Sequence, residues 1–173
     1  MASRTARIAG WTAAGVLIAA SAGSYLLIRS RDRLPAPDSP AYEDVVRKFY
    51  RGLASLDVGL LDDAKRDFTQ AIDVVATEPA SWANLGLAHL RLGEFDAASV
   101  AVERAATLAP ARSEVAYLQG QLESSRGRLD PAISSFRRAV ELDPRSLRAR
   151  YALAQEMENA GGPNADAGVS SVD

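Results

Sequence analysis

Apolar residues recur at three- and four-residue intervals through most of this chain, from about residue 40 to residue 160. Leu87 and Leu90 are followed by Ala98, Val102 and Ala105 in the best example. That spacing places apolar side chains on one face of a helix, whereas a strand would need strict alternation. Glycine and proline interrupt the pattern at several points between residues 52 and 161. The pattern therefore predicts an all-α domain of short amphipathic helices.

The same body repeats with a period of 34 residues, as six sets of positions show. The sets are Gly52, Gly86, Gly120 and Ala154; Gly59, Gly93, Gly127 and Gly161; Ala64, Ala98 and Ala132; Phe68, Val102 and Phe136; Ala71, Ala105 and Ala139; and Ala76, Pro110 and Pro144. Six sets that share one period indicate a repeat architecture, in which each unit buries its apolar face against the next unit.

Each set has a structural interpretation in a unit made of two antiparallel helices. The first set and the alanine sets predict close helix approach, and the glycine set that contains Gly59 predicts the turn between the helices. We expect Phe68 and its equivalents to fill the space between one hairpin and the next. Ser39-Pro40 and Asp130-Pro131 each read as a helix cap followed by a first-turn proline.

This pattern resembles the tetratricopeptide repeat (TPR) family. The repeats are 45–78, 79–112 and 113–146, with a partial fourth at 147–160, in a TPR domain spanning 41–160. Trp82, Leu85, Gly86 and Pro110 are among the signature residues of the clearest copy. The first copy departs at Lys48, Arg51 and Ala76, which suits a terminal repeat that faces solvent. The resemblance implies an all-α solenoid of about three helical hairpins plus a capping helix.

The resemblance also implies a concave groove lined by the first helix of each repeat. By register, the groove residues are Phe49, Leu53, Leu56, Ala83, Leu87, Leu90, Arg91, Tyr117, Gln121, Ser124, Tyr151 and Gln155. The leucines have an alternative interpretation as core residues within the repeats. The class of TPR that grips chaperone C-termini needs Lys and Asn in the first repeat, where this chain has Phe49 and Leu53.

The N-terminal segment predicts a membrane anchor. Residues 8–28 are 21 consecutive uncharged residues between arginines, and a helix of this length spans about 31 Å, close to the bilayer core. The alternative is a signal peptide cleaved near residues 20–22. Residues 1–7 form a basic flank and residues 29–40 a basic, proline-rich linker that we expect to be extended. Gly15, Ala19 and Gly23 have the spacing of weak anchor-mediated self-association.

The C-terminal segment after Pro144 predicts one more helix, from Ser146 to about Ala160. Its apolar stripe comprises Leu147, Tyr151, Leu153, Ala154 and Met157, with Glu156 and Glu158 on a polar face. A flexible tail is expected over 161–173. The helix is interpreted either as a cap on the stack or as the first helix of a fourth repeat, in a chain that is the front part of a longer TPR protein. Some large exported proteins that resemble this layout carry an anchor and TPR units ahead of an FG-GAP-type propeller.

Composition argues against an enzyme and against nucleic acid as a partner. The chain has no cysteine and one histidine, which leaves no thiol nucleophile or multi-histidine metal site. It contains no glycine-rich phosphate-binding motif, and we expect no cofactor or metal. A net charge of −2 is unlike the strongly basic balance of nucleic-acid-binding domains.

The sequence therefore predicts a non-catalytic, membrane-anchored adaptor that binds a protein or peptide in its groove. The preponderance of arginine over lysine and the abundance of alanine favour a GC-rich bacterial gene. We accordingly expect a single-pass inner-membrane protein with a periplasmic TPR domain. Two alternatives stay open: the front part of a larger sensor, enzyme or propeller protein, and an organelle-surface import receptor.

Overall fold

The computed structural model describes residues 34–161, which form seven helices and no strand. In chain order the helices are α1 Pro40–Asp57, α2 Leu61–Val74, α3 Pro79–Arg91, α4 Phe95–Leu108, α5 Ser113–Ser125, α6 Leu129–Leu142 and α7 Leu147–Gly161. Three hairpins, α1–α2, α3–α4 and α5–α6, stack in sequence, and α7 packs on α6. The predicted all-α solenoid is confirmed over these residues. The anchor predicted at 8–28 and the tail beyond Gly161 lie outside them.

The turn inside each hairpin is set by local chemistry. Gly59, Gly93 and Gly127 have φ angles of 81°, 75° and 71°, a left-handed conformation that costs other residues about 1–2 kcal/mol. The amide of Glu94 then donates to the His89 carbonyl at 3.0 Å, which satisfies one of the last carbonyls of α3. The turns predicted at Gly59, Gly93 and Gly127 are therefore confirmed, whereas Gly161 is the last residue of α7.

Two predictions about local structure need correction. Asp130 does not cap α6, because this helix begins at Leu129 with Arg128 at its N-cap and no side-chain hydrogen bond there. Asp130 lies in the first turn instead, where its charge faces the positive end of the helix dipole. The expected extended linker turns at residues 36–39, where the Ser39 amide donates to the Ala36 carbonyl at 3.1 Å. The predicted Ser39 cap is confirmed, since its hydroxyl accepts from the Tyr42 amide.

The core of each hairpin is a large side chain pressed onto a glycine of the paired helix. A Cβ added at Gly52 would lie 2.9 Å from the Phe68 ring, and one at Gly86 would lie 2.7 Å from Val102. Phe68 is fully buried and also belongs to a cluster that contains Leu85 and Ala88 of the next hairpin. These large residues thus fill space inside their own hairpin first, and not only between hairpins as the sequence suggested.

The orientation of α7 is opposite to the one predicted from its apolar stripe. Ala149 and Glu156 are buried against the stack, whereas Tyr151 and Met157 are exposed. Glu156 accepts a hydrogen bond from the Ser124 hydroxyl of α5, so its assignment to a polar face was wrong. Because Ala149 packs on Ala116 and Ala139, close alanine contact fixes α7 by its smallest side chains.

One charged group lies in the interior of the first hairpin. Asp67 of α2 is completely buried and accepts from Arg51 of α1, from Nε at 2.6 Å and from Nη2 at 2.5 Å. These hydrogen bonds lower the pKa of Asp67, and the positive charges of Arg51 and Arg66 add to the effect. Arg51 occupies a position where the TPR pattern has leucine, so an ion pair replaces an apolar contact here.

This ion pair should make the fold sensitive to acid. Because the pKa of Asp67 is lower in the folded chain than in the unfolded chain, its stabilisation is complete above about pH 5 and is lost as the pH falls through the folded pKa. We expect the urea midpoint of Asp67→Asn to fall less between pH 6 and pH 3 than that of the wild type. Glu94 and Asp44 also have lowered pKa values, so some pH dependence should remain.

Asp73→Asn is the matched control, since Asp73 is exposed at the end of the same helix. It should keep the wild-type dependence on pH. Equal slopes for Asp67→Asn and the wild type would contradict the assignment.

Candidate peptide-binding groove

The first helices of the second and third hairpins form a cleft of about 300 Å³ with α7 at one side. Four of the predicted groove residues meet there: Ala83 and Leu87 from α3, and Tyr117 and Gln121 from α5. They come together because residues four apart share one helix face and the two helices follow each other in the stack. The remaining lining residues are Ala80, Asn84, Arg112, Glu114, Val115, Leu118 and Arg148.

Tyr117 and Arg148 define the polar side of this cleft. The guanidinium carbon of Arg148 lies 4.7 Å from the centre of the Tyr117 ring, a cation–π distance. The Tyr117 ring also packs on Phe136, and the two ring centres are 5.5 Å apart. Arg148 forms no ion pair with any residue of the described chain. An exposed cation is therefore held in place without a counter-ion from residues 34–161.

The lining of the cleft carries a net positive charge. Arg112, Glu114 and Arg148 all line the cleft, which leaves an excess of one positive charge. The floor between these groups is apolar, from Ala83 and Leu87, which pack against the cluster of Leu118 and Leu122. The cleft therefore offers an apolar floor beside a positive rim.

The groove residues predicted in the first hairpin lie in the core of that hairpin or pack against it. Leu56 is only 4% exposed and belongs to the core cluster around Phe68, so its place in the groove was wrong. Phe49 and Leu53 are half-buried against the same cluster. The Phe49 ring meets the Phe68 ring edge-to-face at 5.9 Å between centres. These side chains mainly stabilise the hairpin, which agrees with the alternative interpretation of the leucines.

Arg91 and Ser124, two further groove candidates, are tied to other parts of the fold. Arg91 donates from Nη1 to the Leu56 carbonyl at 2.8 Å, so it satisfies the end of α1. The Ser124 hydroxyl donates to the buried carboxylate of Glu156. Leu90 is half-buried against the cluster that Ala98 and Val102 of the second hairpin form with Leu118 and Leu122 of the third. None of the three lines the cleft.

Tyr151 and Gln155 of α7 lie on the surface outside the cleft. Both are exposed, because α7 faces the stack with Ala149 and Glu156. Sequence reasoning instead missed Arg112 and Arg148 as cleft residues. The signal was present, since Arg148 lies one residue into α7 and Arg112 immediately precedes α5, but only the packing of α7 brings them to one site.

A second polar cluster joins the first two hairpins on another surface. The Glu94 carboxylate accepts from Lys65 Nζ at 2.9 Å and lies 2.5 Å from His89 Nδ1. Lys65 and then His89 lower the pKa of Glu94, and Glu94 raises the pKa of Lys65. No group of three potential metal ligands occurs within residues 34–161. The cluster acts as a bridge between α2, α3 and the turn before α4.

Between residues 34 and 161, no helix has both the length and the apolar character needed to cross a bilayer.

Comparison with known families identifies the repeats. The sequence profile of the tetratricopeptide repeat matches residues 40–113, and a second profile with the same description matches 113–146. TPR repeat-containing protein MJ1428 of Methanocaldococcus jannaschii is 31% identical over 103 residues, which are 58% of this chain. The matched part is 17% of the length of that relative.

Solved TPR domains have the same fold. The first TPR domain of Spaghetti (RPAP3), bound to the HSP90 peptide SRMEEVD, superposes with a TM-score of 0.64 at 20% identity, covering 69% of this chain and 95% of that one. The Sgt2 TPR domain of Aspergillus fumigatus gives a TM-score of 0.68 at 18% identity, covering 80% of this chain and 89% of that one. At these identities the likeness extends to the fold alone.

Proposed function

Because the chain belongs to the tetratricopeptide repeat family, we propose that it is a non-catalytic adaptor held at a membrane by residues 8–28. Its cleft between α3 and α5 takes one segment of a protein partner. The observation that carries this proposal is the juxtaposition of an apolar floor with Arg148 stacked on Tyr117. Repeat domains of this family generally act as interaction modules.

The cleft chemistry selects the kind of segment. An apolar side chain of the partner would pack on Ala83 and Leu87, and an adjacent carboxylate would meet Arg148. The Gln121 amide can both donate to and accept from the backbone of an extended peptide. The proposed ligand is therefore an extended segment that carries an aliphatic residue next to Asp or Glu.

A chaperone C-terminus is not the proposed ligand. The HSP90 peptide in the RPAP3 structure is acidic, but the first hairpin of this chain has Phe49 and Leu53 where the chaperone-binding class needs Lys and Asn. Both side chains pack against the core. An internal acidic and apolar segment needs neither residue.

The proposed tether supports the adaptor role by restricting the domain to a surface. Eleven residues separate residue 28 from the start of α1 at Pro40, so a segment anchored at 8–28 would keep the domain within about 40 Å of the lipid. Confinement of both partners to one surface raises their effective concentration. We propose the periplasmic face of a bacterial inner membrane.

The binding prediction rests on Arg148. Selection of displayed random peptides on the full-length chain in detergent should enrich segments with an aliphatic residue beside an acidic one. We expect Arg148→Glu to weaken the selected peptides about tenfold, since it replaces an attraction by a repulsion. Arg137→Glu is the matched control, because Arg137 is exposed on α6 and does not line the cleft; it should leave binding unchanged.

Equal binding by both variants, with the circular dichroism spectrum unchanged, would place the ligand elsewhere. For the tether, the wild-type chain expressed in bacteria should resist carbonate extraction from membranes. In intact spheroplasts, the TPR domain should be accessible to added protease. Recovery in the carbonate-soluble fraction would disprove the anchor, and protection in spheroplasts would disprove the periplasmic orientation.

A further inference from the structure

Helix α7, the last one within residues 34–161, has an apolar face that no described residue covers. Leu147, Tyr151 and Met157 are 76%, 73% and 51% exposed, and Ala154 between them is exposed as well. At about 100° per residue these side chains lie within an arc of about 120° centred on Ala154. The opposite side of α7 carries Ala149 and Glu156, which are buried against the stack.

The preceding hairpins show what this face normally contacts. Ala154 lies 34 residues after Gly120, which lies 34 after Gly86. Those glycines are buried beneath Phe136 and Val102 of the paired second helix. In the family architecture, the face around Ala154 is therefore the one on which a first helix receives another helix.

The side chains on this face are arranged symmetrically about Ala154. Arg150 and Glu158 are each four residues away, and Tyr151 and Met157 are each three residues away. If a second α7 lies antiparallel with Ala154 on Ala154, each Arg150 meets Glu158 of the partner subunit and each Tyr151 meets Met157 of the partner subunit. Neither Arg150 nor Glu158 forms an ion pair with a residue between 34 and 161.

We propose that two copies of this chain dimerise through α7, with the two helices antiparallel across a two-fold axis at Ala154. The small residue at the crossing allows the helix axes to approach to about 10 Å, where the two facing Ala154 side chains touch without overlapping. Two salt bridges and two Tyr–Met contacts then form at once, as a two-fold axis requires. Because one helix pair is a small interface, the dimer is weak and reversible.

The dimer face is separate from the peptide cleft. Arg148 lies about 120° around α7 from Ala154, so both surfaces remain available in one molecule. The dimer therefore presents two clefts and would bind a partner with repeated segments more tightly than a monomer does. Failure of one proposal leaves the other intact, because each has its own residues.

Cysteine crosslinking tests the geometry directly, since the chain has no cysteine of its own. Ala154→Cys in the full-length chain, in detergent with a mild oxidant, should form a disulfide dimer, because residues on the two-fold axis come within disulfide reach. Gln155→Cys is the control, exposed one residue further along but about 100° away. We expect the dimer to form at least about tenfold faster with the first variant. Equal rates would overturn the proposal.

Charge exchange separates this interface from any pairing of residues 8–28. In the Ala154→Cys background, Arg150→Glu or Glu158→Arg alone should slow crosslinking about tenfold, because each creates two like-charge contacts. The combined Arg150→Glu/Glu158→Arg chain should recover the original rate. A mixture of the two single variants should give mainly mixed dimers.

No rescue in the combined chain would overturn the antiparallel register. A wild-type chain that sediments as a monomer up to about 0.5 mM would overturn the dimer altogether. In that case another helix or the segment after Gly161 would be the occupant of the face.

Discussion

Phe68→Ala is expected to lower the free energy of unfolding by about 3–5 kcal/mol, the range for removing a buried aromatic ring. Phe68 has no exposed surface, fills the space above Gly52 and contacts the Phe49 ring. Truncation would leave a cavity beside a residue that has no side chain to collapse into it. Loss of this size is a large share of the stability of a domain of this length.

The effect should appear as separate unfolding of the first hairpin. In a stack, each hairpin contacts only its neighbours. A local loss of stability therefore unfolds one hairpin before the others. Urea titration followed by circular dichroism should show a first transition that the wild type lacks. Tyr50→Ala, which removes an exposed aromatic residue from the same hairpin, should change stability by less than about 0.5 kcal/mol. A Phe68→Ala midpoint close to that of the control would contradict the packing.

Gly120→Ala is expected to destabilise the third hairpin although alanine favours helices. At an exposed helix position this substitution gains about 0.5–1 kcal/mol. Here the new Cβ would lie 2.5 Å from two carbons of the Phe136 ring. Overpacking of this kind costs about 1–3 kcal/mol, and Phe136 is nearly fully buried, so the ring cannot move without moving α6. The net expectation is a loss of about 1–2 kcal/mol.

Two further substitutions make this expectation specific. Gly52→Ala should cost less, because its nearest Phe68 ring carbon is 2.9 Å away instead of 2.5 Å. Phe136→Val should be less damaging in the Gly120→Ala background than in the wild type, as a double-mutant cycle would reveal. Since Tyr117 packs on Phe136, Gly120→Ala should also weaken peptide binding in the cleft. Increased thermal stability of Gly120→Ala would show that the two helices are not this close.

The position of a residue in the 34-residue repeat predicted the surroundings of some side chains but not of others. Buried alanines such as Ala98 and Ala132 followed from their period, and the glycine turns followed from theirs, because both depend on contacts within one hairpin. Leu56 and Glu156 were assigned to the wrong surfaces. Their surroundings depend on how one hairpin is placed against the next, which the apolar pattern of a single helix does not encode.

The residues of the cleft were likewise predicted only in part. Ala83, Leu87, Tyr117 and Gln121 were identified from the register of the repeats, since equivalent positions of successive first helices line one side of a stack. Arg148 was not identified as their partner, because its approach to the Tyr117 ring depends on the docking of α7. The expected inward stripe of α7 was wrong for a related reason. A helix with apolar residues on two sides can dock by either, and alanine packing against Ala139 decided the orientation.

The sequence by itself determined the helices, their turns and the repeating hairpin. Glycine φ preferences and helix caps act over a few residues, so they can be identified from the sequence. The 34-residue period can be identified in the same way, because it repeats the same local pattern. Only the tertiary structure decided which faces stay open, namely the cleft beside Arg148 and the symmetric surface around Ala154. Those faces arise from contacts between helices that are distant in the chain, and the energy of such contacts depends on their relative placement.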